Sequence, residues 1–168
     1  MDRHEVVVCP GCGLELPGRH LEPPDTFNAS GECLRMYYNL TCWTLVQGDQ
    51  KFIHQHAVDA YAAQHSGEKM RPITTWFALI GLFLALERGY SGRRVQLAHV
   101  KIGKRKREWP RLTPPLHPGD LTVMNVIAAR DAGRDEMLMR WAASVWKSWA
   151  HVHQQVRETT DLLLSGDE

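Results

Sequence analysis

Apolar residues recur every three or four positions along most of the chain, and this period is typical of amphipathic helices. The pattern predicts five long helical segments and one short one, at residues 30–46, 50–65, 73–86, 91–109, 122–130 and 134–159. Polar and helix-breaking residues separate these segments, and only the stretch EVVV at residues 5–8 resembles a strand. The sequence therefore predicts an all-α fold, a bundle of about five helices.

The first 29 residues differ from the rest of the chain because they are rich in Pro and Gly and lack a helical period. With 168 residues, of which 43% are hydrophobic and 23% charged, the chain has the length and composition of one globular domain with its own core. We therefore expect a single domain over residues 1–168. In it, an irregular N-terminal metal-binding clip (1–29) lies against a helical bundle (30–168), whose first helix starts at the N-cap residue Ser30.

The longest apolar run has fourteen residues, 73–86, whereas a helix that crosses a bilayer needs about twenty. This run is therefore interpreted as a buried core helix, and no membrane association is expected. The N-terminal residues lack the pattern of a signal peptide. Four cysteines at uneven spacing point to metal ligands or free thiols in a reducing compartment, so we expect a cytoplasmic protein.

A Cys-Pro-Gly-Cys sequence in the clip is the main candidate for chemistry. Its Pro10 and Gly11 favour a tight turn that presents the thiolates of Cys9 and Cys12 to one tetrahedral zinc ion. One alternative is a turn with two idle thiols. A redox pair is another, but redox motifs open a helix after a strand, and the Pro- and Gly-rich sequence after Cys12 cannot continue as a helix.

Helix geometry favours Cys33 over Cys42 as the third ligand. The two are nine residues apart, about two and a half helical turns, so they point to opposite sides of the first helix. Cys33 shares the apolar face with Tyr37 and Leu40, whereas Cys42 does not. We therefore expect Cys33 to bind the metal and Cys42 to be a plain thiol.

The favoured fourth ligand is His65. The first two helical segments are joined by a short break and should pack as an antiparallel hairpin, which brings His65 next to Cys33. His20, a loop histidine with free reach, is the alternative. A shell of three cysteines and one histidine leaves no open position, so the zinc would be structural rather than catalytic. The predicted zinc ligands are Cys9, Cys12, Cys33 and His65.

A second site would require histidines from two different helices. His153 on the last segment could approach His54 or Asp59 on the second segment, and such a cluster would suit a catalytic metal or a general base. The three residues are therefore the candidates for catalysis in a metal-dependent hydrolase or transferase. The simpler interpretation is that His54 and His153 are core histidines with hydrogen bonds. His56 and Asp59 would then form a solvated polar face.

Residues 93–111 carry eight basic residues and one acid, Glu108, in a chain whose formal net charge is +1. A basic patch of this kind could bind nucleic-acid phosphates. The simpler interpretation is a solvated helix end, where Lys and Arg are favoured by the helix dipole before Pro110. Only Trp109 could stack on a base, so nucleic acid is possible but not favoured as a partner.

Several phrases of the sequence resemble the domain-of-unknown-function family 5946. They are CPGCG, NASGEC, HQHAVDAYAAQH, LALERG, KREWPRLTPP, LTV and WAASVWKSWAHVHQQVR, and they run from residue 9 to about 157. The resemblance implies no established activity, but it does imply a shared set of residues. These are Cys9, Cys12, Cys33, His54, Asp59, Tyr61, Gln64, His65 and His153.

Members of that family often carry a histidine shortly before the Glu-Arg-Gly phrase, where this chain has Phe77 and Ala78. The difference disfavours a histidine-rich catalytic site and leaves the cysteine knuckle unaffected. We therefore expect a small zinc-binding helical protein that acts as a binding module, with a protein partner on its polarised surface or its Trp-rich last helix. A metal-dependent enzyme and a nucleic-acid adaptor are the alternatives.

Overall fold

The computed structural model describes residues 5–130 and 132–166 and confirms the predicted all-α class. The residues before and after these ranges, assigned above to the clip and to the end of the bundle, and residue 131 lie outside the described part. The described α-helices are α1 Gly31–Val46, α2 His54–Gln64, α3 Pro72–Leu86, α4 Gly92–Gly103, α5 Val123–Ala128, α6 Gly133–Ser148 and α7 His153–Leu164, with a 3₁₀ turn at Ala150–Val152.

Two short strands form a hairpin in the clip. β1 (Val6–Val8) pairs antiparallel with β2 (Glu15–Pro17), with Val7 opposite Leu16. The EVVV stretch is therefore a strand, as its pattern indicated, whereas β2 has no alternating pattern of its own and was missed. The hairpin matters for function because its loop is the Cys-Pro-Gly-Cys knuckle.

Helix α2 is the centre of the molecule and packs against α1, α3, α4 and α6. Because neighbours surround it, several of its polar side chains are buried as well as its alanines. His56 is 6% exposed and Asp59 only 3%. The solvated polar face that we expected at these two residues is therefore wrong, since Asp59 lies against Gly81 of α3.

Helix α4 is shorter than its sequence pattern predicted. It ends at Gly103 instead of continuing to Pro110. Past Gly103 the chain turns back, so that Trp109 contacts Trp76 and Phe77 of α3 at ring-centroid distances of 5.5 and 5.6 Å. The indole of Trp76 also donates a hydrogen bond to the carbonyl of Pro110. A continuous helix would carry Trp109 away from these partners.

The last predicted helix is divided into two, because the chain bends between Trp149 and Val152. The break redirects the polypeptide: α6 packs on α2, α3 and α5, whereas α7 packs on α3 and α4. His153 stabilises the bend by donating from Nε2 to the carbonyl of Trp146 at 2.8 Å, and its ring stacks on the Trp146 indole.

The core is continuous through the helices and includes the fully buried tryptophans Trp76, Trp141 and Trp149. Two indoles are anchored on α2: Trp141 donates to the side-chain oxygen of Gln64, and Trp149 donates to the carbonyl of Ala63. Among the described residues, every helix is too short or too polar to cross a bilayer.

Candidate metal centre

The knuckle is a tight turn at the end of the β hairpin. The backbone N–H of Cys9 donates to Leu14 and that of Gly13 donates to Cys9, at 2.8 and 2.9 Å. Gly13 has a φ of 74°, a conformation that favours glycine. Gly11 has a different requirement, because a Cβ there would collide with the carbonyl of Asn28 and lie 2.6 Å from Cδ2 of His65.

Cys33 enters the site from the first turn of α1. Ser30 caps this helix, as predicted, and its hydroxyl accepts the backbone N–H of Cys33 at 3.1 Å. The cap fixes the direction of the helix start, and Cys33 is completely buried there. Cys42, two and a half turns further on, is exposed and lies apart from the site, in agreement with the helix-geometry argument.

His65 enters from the end of α2. Its Nδ1 lies 2.9 Å from the carbonyl of Tyr61, to which it donates as the protonated ring nitrogen. This hydrogen bond leaves Nε2 as the free lone pair, directed at the cysteines, and Nε2 lies 3.5 Å from Sγ of Cys33. His20, the alternative ligand, is exposed in the clip and is not a member of the cluster.

The ligand atoms of the four predicted residues all lie within 4.8 Å of one another. In a tetrahedral zinc site with Zn–S near 2.3 Å and Zn–N near 2.0 Å, two sulfurs should be about 3.8 Å apart, and sulfur and nitrogen about 3.5 Å apart. The observed Cys12–Cys33 distance is 3.8 Å, and the Cys33–His65 distance is 3.5 Å. These two distances fit a tetrahedral ion, and the Cys12–Cys33 distance is too long for a disulfide bond. The grouped residues are Cys9, Cys12, Cys33 and His65.

Electrostatics of the three thiols also suit a cation. Contacts with Cys12 and Cys33 lower the pKa of Cys9, because both thiols can donate to its sulfur. Contacts with Cys12 and Cys9, together with burial, raise the pKa of Cys33. Cys33 lowers the pKa of Cys12, but Cys9 and burial outweigh this and raise it to about 12. A divalent ion among the sulfurs would let all three ionise.

An aromatic column lies behind the cluster. The hydroxyl of Tyr61 donates to Sγ of Cys33 at 3.6 Å, and burial raises the pKa of Tyr61, so the phenol stays protonated as a donor. The Tyr61 ring stacks on His65 at 3.9 Å and on Tyr37 at 4.0 Å. Phe27 of the clip packs edge-on against both tyrosines. Tyr61 therefore contacts two of the four clustered residues.

Two further contacts tie the clip to the helices close to the cluster. Glu32, in the first turn of α1, accepts the backbone N–H groups of Arg19 and Leu21 at 2.9 and 3.4 Å. The Arg19 N–H lowers the pKa of the Glu32 carboxyl, which therefore stays ionised as an acceptor. The backbone N–H of Asn28 donates to the carbonyl of His65. Sequence periodicity does not reveal such side-chain-to-loop contacts.

The three candidates for catalysis have separate partners. His54 makes a 2.8 Å hydrogen bond with the Thr44 hydroxyl, and His153 binds the Trp146 carbonyl. Asp59 is buried and accepts one hydrogen bond from Gln55. Among the described residues, these three do not form a group that could hold one ion. Their catalytic role stays a prediction, without a shared site to support it.

Comparison with known proteins gives one match. The model of a family of unknown function, DUF5946, matches residues 7–150 and therefore includes all four clustered residues. No curated protein and no solved structure matches the chain. Because the match spans most of the sequence, the resemblance drawn from its phrases is confirmed, and the chain belongs to the family of unknown function DUF5946.

Proposed function

We propose that this protein is a helical binding module whose clip is fixed to the helices by one structural zinc ion. The main support for the proposal is the convergence of four ligand atoms within 4.8 Å of one another, because the Cys12–Cys33 and Cys33–His65 distances match edges of a zinc tetrahedron. The ligands would be Cys9, Cys12, Cys33 and His65. With four protein ligands, no position is left for water or substrate, so the ion would stabilise the fold.

The donor set favours zinc over other common ions. Three thiolates and one imidazole are soft or intermediate ligands, whereas magnesium and calcium prefer oxygen. The ion would cross-link the knuckle, the start of α1 and the end of α2. A reducing cytoplasm, the compartment that we propose, keeps the thiols available for the metal.

Metal content per chain tests this proposal. We expect about one zinc per untagged chain by inductively coupled plasma mass spectrometry. Cys33→Ser and His65→Ala should lose the zinc and unfold at a lower temperature, because structural zinc contributes directly to folding.

The chain offers a matched control for each variant. Cys42→Ser removes an exposed thiol, and His20→Ala removes the alternative histidine. Both should keep the zinc and the wild-type melting temperature. A metal-free wild type would contradict the proposal, and loss of zinc in His20→Ala with retention in His65→Ala would contradict the ligand set.

A further inference from the structure

A shallow depression of about 510 Å³ lies beside the start of α2, whereas the zinc cluster lies at the end of this helix. The loop before α2, the start of α4 and the first turns of α6 form its walls. The side chains that matter for its chemistry are His56, Asp49, Asp135, Glu136, Ile53 and Met139. None of them belongs to the proposed zinc site. We call this depression the His56 pocket.

His56 is the buried polar group of this pocket. The residue is only 6% exposed, and its Nδ1 is buried without a hydrogen-bond partner. Nε2 has no partner among the described residues either, but it is not enclosed, so it is the ring nitrogen that the pocket can reach. Burial lowers the pKa of His56, which leaves a neutral ring with one lone pair and one N–H. Because buried polar groups are almost always hydrogen-bonded, an imidazole without a partner in the protein indicates a partner from solution.

Carboxylates approach the pocket from two elements. Asp49, in the loop before α2, is held by two backbone N–H groups of its own loop, which donate to its two oxygens at 2.9 and 3.2 Å. Its charge acts on His56 and partly opposes the fall in the pKa of that residue. Asp135 and Glu136, in the first turn of α6, are exposed and have no hydrogen bond or ion pair with the described residues. The pocket therefore has two separate negative centres.

The helix dipole explains the two acids of α6 but not the whole pocket. It favours carboxylates in a first turn, and it places no requirement on an imidazole of another helix. The one cation among the lining residues is the exposed Lys51. Two arginines at the start of α4 lie instead over aromatic rings, Arg93 on Phe52 at 4.3 Å and Arg94 on Tyr90 at 3.7 Å. The unpartnered imidazole thus indicates a hydrogen-bonding ligand, and the carboxylates indicate a positive one.

The geometry favours an extended organic cation over a metal ion. Among the described residues, the carboxylates and His56 do not bring three ligand atoms close enough together for one ion. A chain with an ammonium group at each end can instead reach both negative centres, and each ammonium donates charge-assisted hydrogen bonds there. Ile53 and Met139 line the same pocket and supply apolar contact for the methylene groups between the two ends.

We propose that the His56 pocket binds an aliphatic diamine or polyamine. One ammonium would lie at Asp135 and Glu136, and the other would donate to Nε2 of His56 beside Asp49. The site is separate from the zinc and goes beyond the structural role proposed for that ion. Because the α6 carboxylates are exposed and screened by salt, the affinity should be modest, with a Kd of about 0.1 mM at low ionic strength.

Isothermal titration calorimetry with simple amines tests the pocket. The probe is putrescine, titrated into the wild-type protein as purified, near pH 8 and at about 50 mM salt. We expect one binding site per chain. Butylamine has the same chain but one ammonium, so it should bind at least about tenfold more weakly. Magnesium chloride at the same concentration should not displace putrescine, because the pocket lacks three ligand atoms for one ion.

Variants at the two ends of the pocket assign the contacts. The double variant Asp135→Asn/Glu136→Gln should weaken binding by about tenfold, and its exposed positions leave the core intact. His56→Phe keeps the ring but removes both nitrogens, so it should weaken binding by about fivefold or more. It should melt no lower than the wild type, because it removes a buried nitrogen that has no partner. Glu158→Gln, which removes an exposed carboxylate from α7, is the control and should bind within about twofold of the wild type.

Four results would overturn the proposal. They are no binding by the wild type at about 10 mM putrescine, equal binding of putrescine and butylamine, unchanged binding in His56→Phe, and displacement of putrescine by magnesium. The last would reduce the carboxylates to a general attraction for cations. Zinc content measured on the same samples separates a failure of this pocket from a failure of the metal site, since the two share no residue.

Discussion

Tyr61 is the residue that orients the cluster without belonging to it. Its hydroxyl donates to the Cys33 sulfur, its carbonyl accepts from His65, and its ring lies against the His65 imidazole. Partners of this kind fix a ligand's direction and reduce the charge density on a thiolate. We therefore regard Tyr61 as a positioning residue for the proposed zinc.

Tyr61→Phe should weaken zinc binding by about tenfold, because the Cys33 thiolate loses its donor while the ring stack is kept. Competition with a chromophoric chelator measures the affinity. The sulfur-to-metal charge-transfer band of the cobalt-substituted protein should also shift. Tyr37→Phe is the control, because Tyr37 belongs to the same stack and its ring contacts Tyr61 rather than Cys33. Equal effects in both variants would contradict a specific role for the Tyr61 hydroxyl.

Asp59 is a buried acid whose Oδ2 has no hydrogen-bond partner. Burial raises its pKa well above the usual carboxyl value. The folded state therefore holds a proton that the unfolded state releases, so the free energy of unfolding falls as pH rises from the ordinary carboxyl pKa through the raised one. Asp59 is thus a source of instability at neutral pH.

Asp59→Asn should raise the free energy of unfolding by about 2 kcal/mol near pH 8, because the amide cannot ionise. The gain should shrink as the pH falls to about 4 and below, because the wild-type carboxyl then becomes protonated in the unfolded state as well. Urea unfolding at several pH values measures both effects. Asp25→Asn, at an exposed position, should change little. A gain that is constant with pH would contradict the titration of Asp59.

The four clustered residues could be predicted from the sequence, whereas the side chains that surround them could not. Cys9 and Cys12 follow from local turn chemistry, and Cys33 and His65 follow from helix period and the hairpin topology. The hydrogen bond from Tyr61 to the Cys33 sulfur and the burial of Asp59 both depend on how the helices around α2 are packed. Periodicity within one helix cannot contain that information.

At the scale of elements, the helix starts were more predictable than the helix ends. Ser30 and Thr122 cap α1 and α5 through side-chain hydrogen bonds that are encoded locally. The ends of α4 and α6 depend on tertiary contacts instead. Trp109 turns back onto α3, and His153 binds Trp146 across the bend. When the helical spacing of apolar residues continues across a break, the sequence pattern cannot be distinguished from that of an unbroken helix.

The packing of α2 on α3 depends on a close contact at Gly81. A Cβ at this position would overlap with Oδ2 of Asp59. Gly81→Ala should therefore destabilise the protein by about 3 kcal/mol, although alanine favours helices, because neither helix can move without disturbing the core. Thermal and urea unfolding measure the loss.

Gly103→Ala is the matched control at the end of α4. A Cβ there would meet only ring atoms of Phe77 at 3.8 Å, an ordinary contact distance. Its effect on stability should lie within about 0.5 kcal/mol of zero. If Gly81→Ala were as stable as Gly103→Ala, the tight packing of α2 on α3 would be contradicted.

At the scale of the whole molecule, two kinds of tether hold the clip. The β hairpin that carries the knuckle, residues 6–17, would depend on the metal. Residues 18–29 also have backbone bonds to Glu32 and His65. The single domain over residues 1–168 stays a prediction, and it implies one cooperative unfolding transition for the metal-loaded protein.

Chelation of the metal should first destabilise the hairpin, residues 6–17. A strong zinc chelator should lower the melting temperature by about 10 °C and speed amide hydrogen exchange in residues 6–17 more than in residues 18–29. The amides of α3 and α6 should keep their protection, since these helices do not contact the cluster. Uniform exchange along the clip, or none, would contradict the division into two tethers.

The central claim is the zinc shell itself, and X-ray absorption at the zinc edge tests it most directly. We expect about three sulfur neighbours near 2.3 Å and one nitrogen neighbour near 2.0 Å. In His65→Ala, any zinc that remains should lose the nitrogen contribution and keep the sulfurs. A shell dominated by oxygen and nitrogen, or one that His65→Ala leaves unchanged, would contradict the Cys9, Cys12, Cys33 and His65 site.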